Sequence, residues 1–186
     1  MADTRESLLD AAAEAALGVG WDRARMADVA AAAGVSRQTL YYEFGSKDGL
    51  AQAVAMRETE RYLAGASAAR VDHEGTPAEA VAAAAAYTLT AAADNPLLKA
   101  VLTDDTGSML PFITTRAEAI LGVARDHLVA YLSGHWPALP ADEVALVADV
   151  VTRLTFSHLV LPRGRPQEAA AGIAHLVDRL LPGGPA

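Results

Sequence analysis

The chain has 186 residues, 15 Lys+Arg against 23 Asp+Glu, a formal charge of −8 and no cysteine. That length suits one domain or two small ones with a real core, and 52% hydrophobic with 20% charged residues argues against disorder. The missing cysteine excludes a disulfide scaffold, thiol catalysis and a thiolate metal site, and the acid excess, taken at face value, argues against a nucleic-acid partner.

Alanine runs such as Ala11–Ala13, Ala30–Ala33 and Ala82–Ala86, with only 5% aromatics and no sustained alternation, predict an all-α chain. Asp3 with Glu6 forms a candidate capping box for a first helix to about Leu17, ended by Gly18 and Gly20. Leu8, Leu9, Ala12, Ala16 and Leu17 make its apolar stripe. Short helices follow at about Met26–Ala33, stopped by Gly34, and Arg37–Phe44, capped by Ser36 and stopped by Gly45. Ser46 caps a fourth, about Lys47–Ala69, and Val71–Gly75 is a polar break. Thr76-Pro77-Ala78-Glu79 combines an N-cap, a first-turn proline and a capping-box Glu, and starts a helix to about Ala93. Asn95-Pro96 starts a short one to about Thr103, and Asp104–Ser108 is a loop. Pro111 opens a helix to about Ser133, Pro140 one to about Leu161 and Pro166 one to about Leu181, with Pro182–Ala186 as a tail. The total is about nine helices. The first three, with short connections, form a unit over residues 1–50; the remainder, over 51–186, forms a bundle.

Residues 1–20 lack a basic start followed by an apolar core, so no secretory signal is expected. The apolar stretch Ala80–Ala86 falls far short of the ~20 residues of a membrane span. A cytoplasmic protein without a membrane partner is expected.

The informative stretch is Met26–Leu50, MADVAAAAGVSRQTLYYEFGSKDGL. Val29 and Ala30 share one side of a short helix, Gly34 supplies a left-handed turn residue, and Val35 plugs the angle to the next helix. Leu40 and Phe44 lie i, i+4 on that helix's inner face. This pattern is a helix-turn-helix, whose second helix meets base edges in the major groove with its N-terminal residues.

The string Ala33-Gly34-Val35-Ser36, then Thr39-Leu40-Tyr41, then Phe44, Ser46, Lys47 and Leu50, resembles the N-terminal signature of TetR-family repressors. The motif covers about 45 residues. The resemblance implies that Arg37, Gln38 and Thr39 occupy the base-reading turn, where Arg can grip guanine and Gln adenine with paired hydrogen bonds. It implies that Tyr41 and Tyr42 approach the DNA backbone, and that Ser36 and Lys47 contact phosphates, Lys47 at a helix N-terminus. Each has a plainer reading: Ser36 as N-cap only, Tyr41 as packing with its hydroxyl at the rim, Arg37 and Gln38 as solvated helix residues. Two positions depart from the family pattern. Arg25 or Met26 stands where Thr is common, and Arg25 either reaches a phosphate or pairs with Asp28 or Asp22. Glu43 stands where a neutral or basic residue is common, and it either turns away, contacts a cytosine amino group, or pairs with a neighbouring Arg.

The same resemblance implies that the bundle senses a ligand and dimerises. Ligand pockets are mostly apolar with a few placed polar groups, and the candidates here are Tyr87, Thr90, Leu98, Phe112, Arg116, Ile120, Thr152, Thr155 and Phe156. From those residues alone an ordinary bundle core with polar residues on its rim is the stronger reading, and it is the resemblance that favours a pocket. Few charges fall in this stretch, so a small lipophilic effector is expected. The last two helices would form a two-fold dimer interface, with Leu159, Leu176, Val177 and Leu180 supplying apolar area. Such a dimer demands a near-palindromic double-stranded operator.

An enzyme is the weaker alternative. His73, His127, His135, His158 and His175 form no HxxxH or HExxH spacing, and there is no GxSxG elbow or glycine-rich phosphate loop. No metal site and no cofactor are expected. A helical interaction module that uses the motif for packing alone is the other alternative. Charge does not decide between them. Residues 1–50 hold five basic and eight acidic residues, so the acid excess hides no basic domain. The resemblance therefore points to a homodimeric, ligand-responsive repressor that relies on placed contacts more than on a broad positive field.

Overall fold

The computed structural model describes residues 2–71, 75–102 and 117–181. Among them are nine α-helices and no strand. They are α1 (Ala2–Val19), α2 (Met26–Ala32), α3 (Arg37–Phe44), α4 (Lys47–Val71), α5 (Pro77–Asp94), α6 (Pro96–Leu102), α7 (Ala117–His135), α8 (Ala141–Val160) and α9 (Pro166–Leu180). The expected Asp104–Ser108 loop, the helix start at Pro111 and the Pro182–Ala186 tail lie outside the described residues. No described helix is long and apolar enough to cross a membrane.

Helix ends follow local chemistry. Ser36 caps α3, its Oγ accepting from the Thr39 amide at 3.0 Å. The Thr76 amide donates to Glu79 Oε2 at 2.8 Å and the Glu79 amide to Thr76 Oγ1 at 3.3 Å, the reciprocal capping box expected at α5. Asn95 caps α6, its Oδ1 accepting from the Leu98 amide at 3.0 Å. At α9, Glu168 Oε2 accepts from the Arg165 amide at 3.1 Å, and this bond, with the Arg165 side chain, holds the Glu168 carboxyl below its usual range.

Three expectations at α1 are corrected. The helix begins at Ala2, so Asp3 already lies inside it and is not its N-cap. Glu6 turns sideways to Arg57 of α4, 3.3 Å away, instead of closing a capping box. Gly18 does not end the helix, which continues to Val19; Gly20, at φ 83°, is the stop. Leu17 is 46% exposed and leaves the apolar stripe at Ala16.

The chain forms two compact units. Among described residues the first holds α1–α3, α4 up to Glu58, and α6. Its core is Leu8, Leu9, Ala12, Met26, Val29, Ala30, Leu40, Leu50 and Val54, with Val35, Phe44 and Leu97 packed against it. Burying each of these larger side chains contributes about 1.5–3 kcal/mol. The presence of α6, which packs on α1, was not foreseen by a boundary at residue 50. Arg57 is buried between helices, its Nη1 donating to Asp10 Oδ1 at 2.7 Å as well as to Glu6. Its neighbour Glu58 accepts from Asn95 Nδ2 at 3.1 Å. One polar network thus ties α1, α4 and α6 together.

The second unit holds α4 from Thr59, α5, α7 from Glu118, α8 and α9. Its core joins Val81 and Ala85 of α5, Leu128 and Leu132 of α7, Val144, Val147, Ala148 and Val151 of α8, and Ala170, Ile173 and Val177 of α9. Helix α5 runs against both α8 and α9.

Candidate nucleic-acid interface

Helix α3 is built to show one face. Leu40 is 0% exposed and Phe44 is half-buried against the core of the first unit. That leaves Ser36, Arg37, Gln38, Thr39, Tyr41 and Tyr42 exposed together. The turn before it carries the orientation: Gly34 adopts φ 70°, and the Val35 amide closes back on Ala30 O at 2.9 Å. A Cβ at that φ is disfavoured, so glycine is what allows α3 to leave α2 at this angle.

The side chains on this face differ in freedom. Ser36 Oγ and Thr39 Oγ1 are 2.8 Å apart, so the two hydroxyls hold each other beside the cap. Arg37 and Gln38 stand exposed in the first turn. Tyr42 is 89% exposed, whereas Tyr41, at 42%, leans partly on the protein. Arg25 is exposed at the N-cap of α2 and pairs with neither Asp22 nor Asp28. Lys47 donates from Nζ to Asp22 O at 2.9 Å and sits 5.4 Å from the Trp21 ring centre. It pins the start of α4 to the α1–α2 loop, and two of its three N–H groups remain for another acceptor.

Glu43 takes the last of its three readings. It pairs with an arginine, but one from far upstream: Arg5 Nη1 lies 2.7 Å from Glu43 Oε1. Sequence reasoning missed Arg5, because nothing local links positions 38 residues apart.

In the second unit, Thr152 of α8 is buried, and Ile120, Thr155 and Phe156 are half-buried. Thr90 is exposed. Tyr87, 40% exposed, lays its ring on α4 so closely that Gly65 has no room for a Cβ. Leu98, on α6, belongs to the first unit. Phe112 and Arg116 lie outside the described residues. A polar contact not singled out by sequence reasoning is Ser67 Oγ to His127 Nε2, 2.7 Å, half-buried between α4 and α7. On the two last helices, Leu176 and Leu180 are 42% and 40% exposed and Leu159 is half-buried. Val177, at 1%, fills the core of its own unit instead of facing outward. Beside Leu176 runs an open groove of about 580 Å³, which Leu154, His158 and Ile173 also line.

Residues 8–54 match the model of bacterial regulatory proteins of the tetR family, and residues 77–179 match that of the bacterial tetracycline-repressor C-terminal domain. The chain is 32% identical over 174 residues to the HTH-type transcriptional regulator AlkX of Mycobacterium tuberculosis, covering 93% of this chain and 82% of that one. It is also similar to the crystal structure of the TetR-family repressor AlkX from Dietzia sp. strain DQ12-45-1b, implicated in biodegradation of n-alkanes. There the TM-score is 0.79 at 31% identity, over 95% of this chain and 94% of that one. The transcriptional repressor QsdR of R. erythropolis shares the fold, with a TM-score of 0.67 at 20% identity over 96% and 94% of the two chains. With both halves matched and the helix-turn-helix in place, the chain belongs to the TetR family of bacterial transcriptional regulators.

Proposed function

We propose that this protein is a cytoplasmic, ligand-responsive repressor, not an enzyme, which binds a palindromic operator as a homodimer. Residues 1–50 read DNA, and residues 51–186 bind the effector and dimerise. Arg37, Gln38 and Thr39 read bases, while Arg25, Ser36, Tyr41, Tyr42 and Lys47 contact phosphates. The observation that carries this reading is the first turn of α3: Arg37 and Gln38 are exposed while Leu40, on the same helix, is sealed into the core. Dimerisation through α8 and α9 is supported by the exposed leucines Leu176, which lines the groove, and Leu180.

The effector is a small lipophilic molecule. The link of the Dietzia relative to n-alkane breakdown supports an aliphatic one. The Ser67–His127 contact offers polar groups on α4 and α7 for its head group. Such a ligand releases DNA only by preferring one arrangement of α4 to another.

The test selects duplexes from random sequence with the wild-type protein, then compares Arg37→Ala on the selected and scrambled duplexes. A contact to base edges is worth about 1–3 kcal/mol, so a roughly 5- to 150-fold loss on the selected duplex alone is expected. Unchanged affinity and unchanged preference would remove the base-reading assignment. Failure to select any sequence would favour a helical interaction module.

A further inference from the structure

Helix α3 carries one acid, Glu43, at the edge of its reading face. A carboxylate beside the phosphate backbone repels it, so Glu43 ought to be a liability. Its surroundings show how that charge is handled. Arg5 reaches across from α1 to Glu43 at 2.7 Å, and its guanidinium carbon lies 4.9 Å from the centre of the Phe44 ring. The cation is therefore held on one side by a carboxylate and on the other by an aromatic face. Phe44 is itself packed against the first unit's core, so the stack has a fixed base. The pair sits at the rim, with the two side chains 44% and 36% exposed.

The other cations of residues 1–50 sharpen the point. Arg23 donates to Val19 O at 2.8 Å and Lys47 to Asp22 O at 2.9 Å. Only Arg25 and Arg37 stand exposed without an internal partner among the described residues. With so few cations at hand, one more or one fewer changes the field at α3 substantially.

We propose that the Arg5–Glu43 pair sets the discrimination of the recognition helix by cancelling charge at its edge. Glu43 holds in check a cation that would otherwise attract any phosphate backbone. Arg5, in return, masks an anion that would repel all DNA. Arg5 is a positioning residue and Glu43 its counter-ion, and their joint effect is to lower sequence-independent attraction relative to base reading. This rests on α3 being the base-reading helix.

The test uses the full chain on a selected duplex and a scrambled duplex of the same composition, across a salt series. Glu43→Gln is expected to raise affinity for scrambled DNA roughly 3- to 10-fold and to steepen the salt slope by about one. Arg5→Gln is expected to weaken both duplexes by a similar factor. The double variant is expected to return to within about twofold of wild type, and Arg5→Lys to restore most of what Arg5→Gln loses. Both positions are part-exposed, and a thermal melt confirms folding. If Glu43→Gln weakened the selected duplex alone, Glu43 would be a base reader and the proposal would fall. If the double variant instead kept the gain of Glu43→Gln or the loss of Arg5→Gln, the two charges would not cancel and it would also fall. Arg37→Ala separates the two levels: a flat Arg5/Glu43 series with a sensitive Arg37 sinks this proposal alone, while an insensitive Arg37 sinks the reading beneath it.

Discussion

Gly34 holds the chain at φ 70° between α2 and α3, where any side chain crowds its own backbone. Gly34→Ala is expected to cost about 1–2 kcal/mol, a fall in Tm of roughly 2–8 °C by calorimetry. Gly18 sits inside α1 with nothing within 4 Å of where a Cβ would stand. Gly18→Ala is therefore expected to gain about 0.5–1 kcal/mol, because the helix keeps its geometry and loses a flexible residue. A loss at Gly18 would mean that α1 needs to bend there. Glycine in the sequence is compatible with either role, and only the backbone path distinguishes them. By contrast, the caps at Ser36 and at Thr76–Glu79 were legible at once, since every partner lies within three residues along the chain. Arg5–Glu43 and Lys47–Asp22 were not, because tertiary contact alone brings those residues together.

At the level of elements, Arg57 on α4 is the fastening between α1 and α4. It is 8% exposed, while its partners Glu6 and Asp10 are 57% and 63% exposed. That asymmetry predicts unequal responses to mutation. Arg57→Met keeps the volume and leaves two carboxylates free to hydrate, so its cost is expected to stay within about 1 kcal/mol. The double change Glu6→Gln and Asp10→Asn leaves the buried Arg57 with Glu58 alone, 4.0 Å away, as its carboxylate among the described residues, and is expected to cost roughly 3 kcal/mol. Urea unfolding midpoints check both, and equal losses would mean that the network matters for packing and not for charge. Most of the nine described helices could be read from capping, glycine and proline chemistry, yet their assembly could not. Glu6 looked like a capping residue for α1 because a local role was available to it, and the tertiary partner took precedence.

For the whole molecule, the net charge of −8 no longer counts against DNA once the exposed groups on α3 are considered; it limits how much of the binding can be non-specific. Assembly is expected to depend on the outer faces of α8 and α9. Leu176→Asp with Leu180→Asp should yield a monomer by light scattering with little loss of subunit stability, since both side chains are about two-fifths exposed. Val177→Asp should instead unfold the chain, because it buries a charge in the core. A dimer that survived both surface changes would move the interface elsewhere.

The placement of α6 also bears on how the molecule is born. Leu97 seals the core of the first unit, and Val101 covers Ala51 beside Trp21, yet α5 is synthesised between them and the helices they cover. At roughly 5–20 residues per second, the nascent first unit waits several seconds with that apolar surface open to solvent. A fragment ending at residue 50 never closes it. Chaperone contact during synthesis, and aggregation of such a fragment, are the natural result of a DNA-reading unit whose last piece is delivered late.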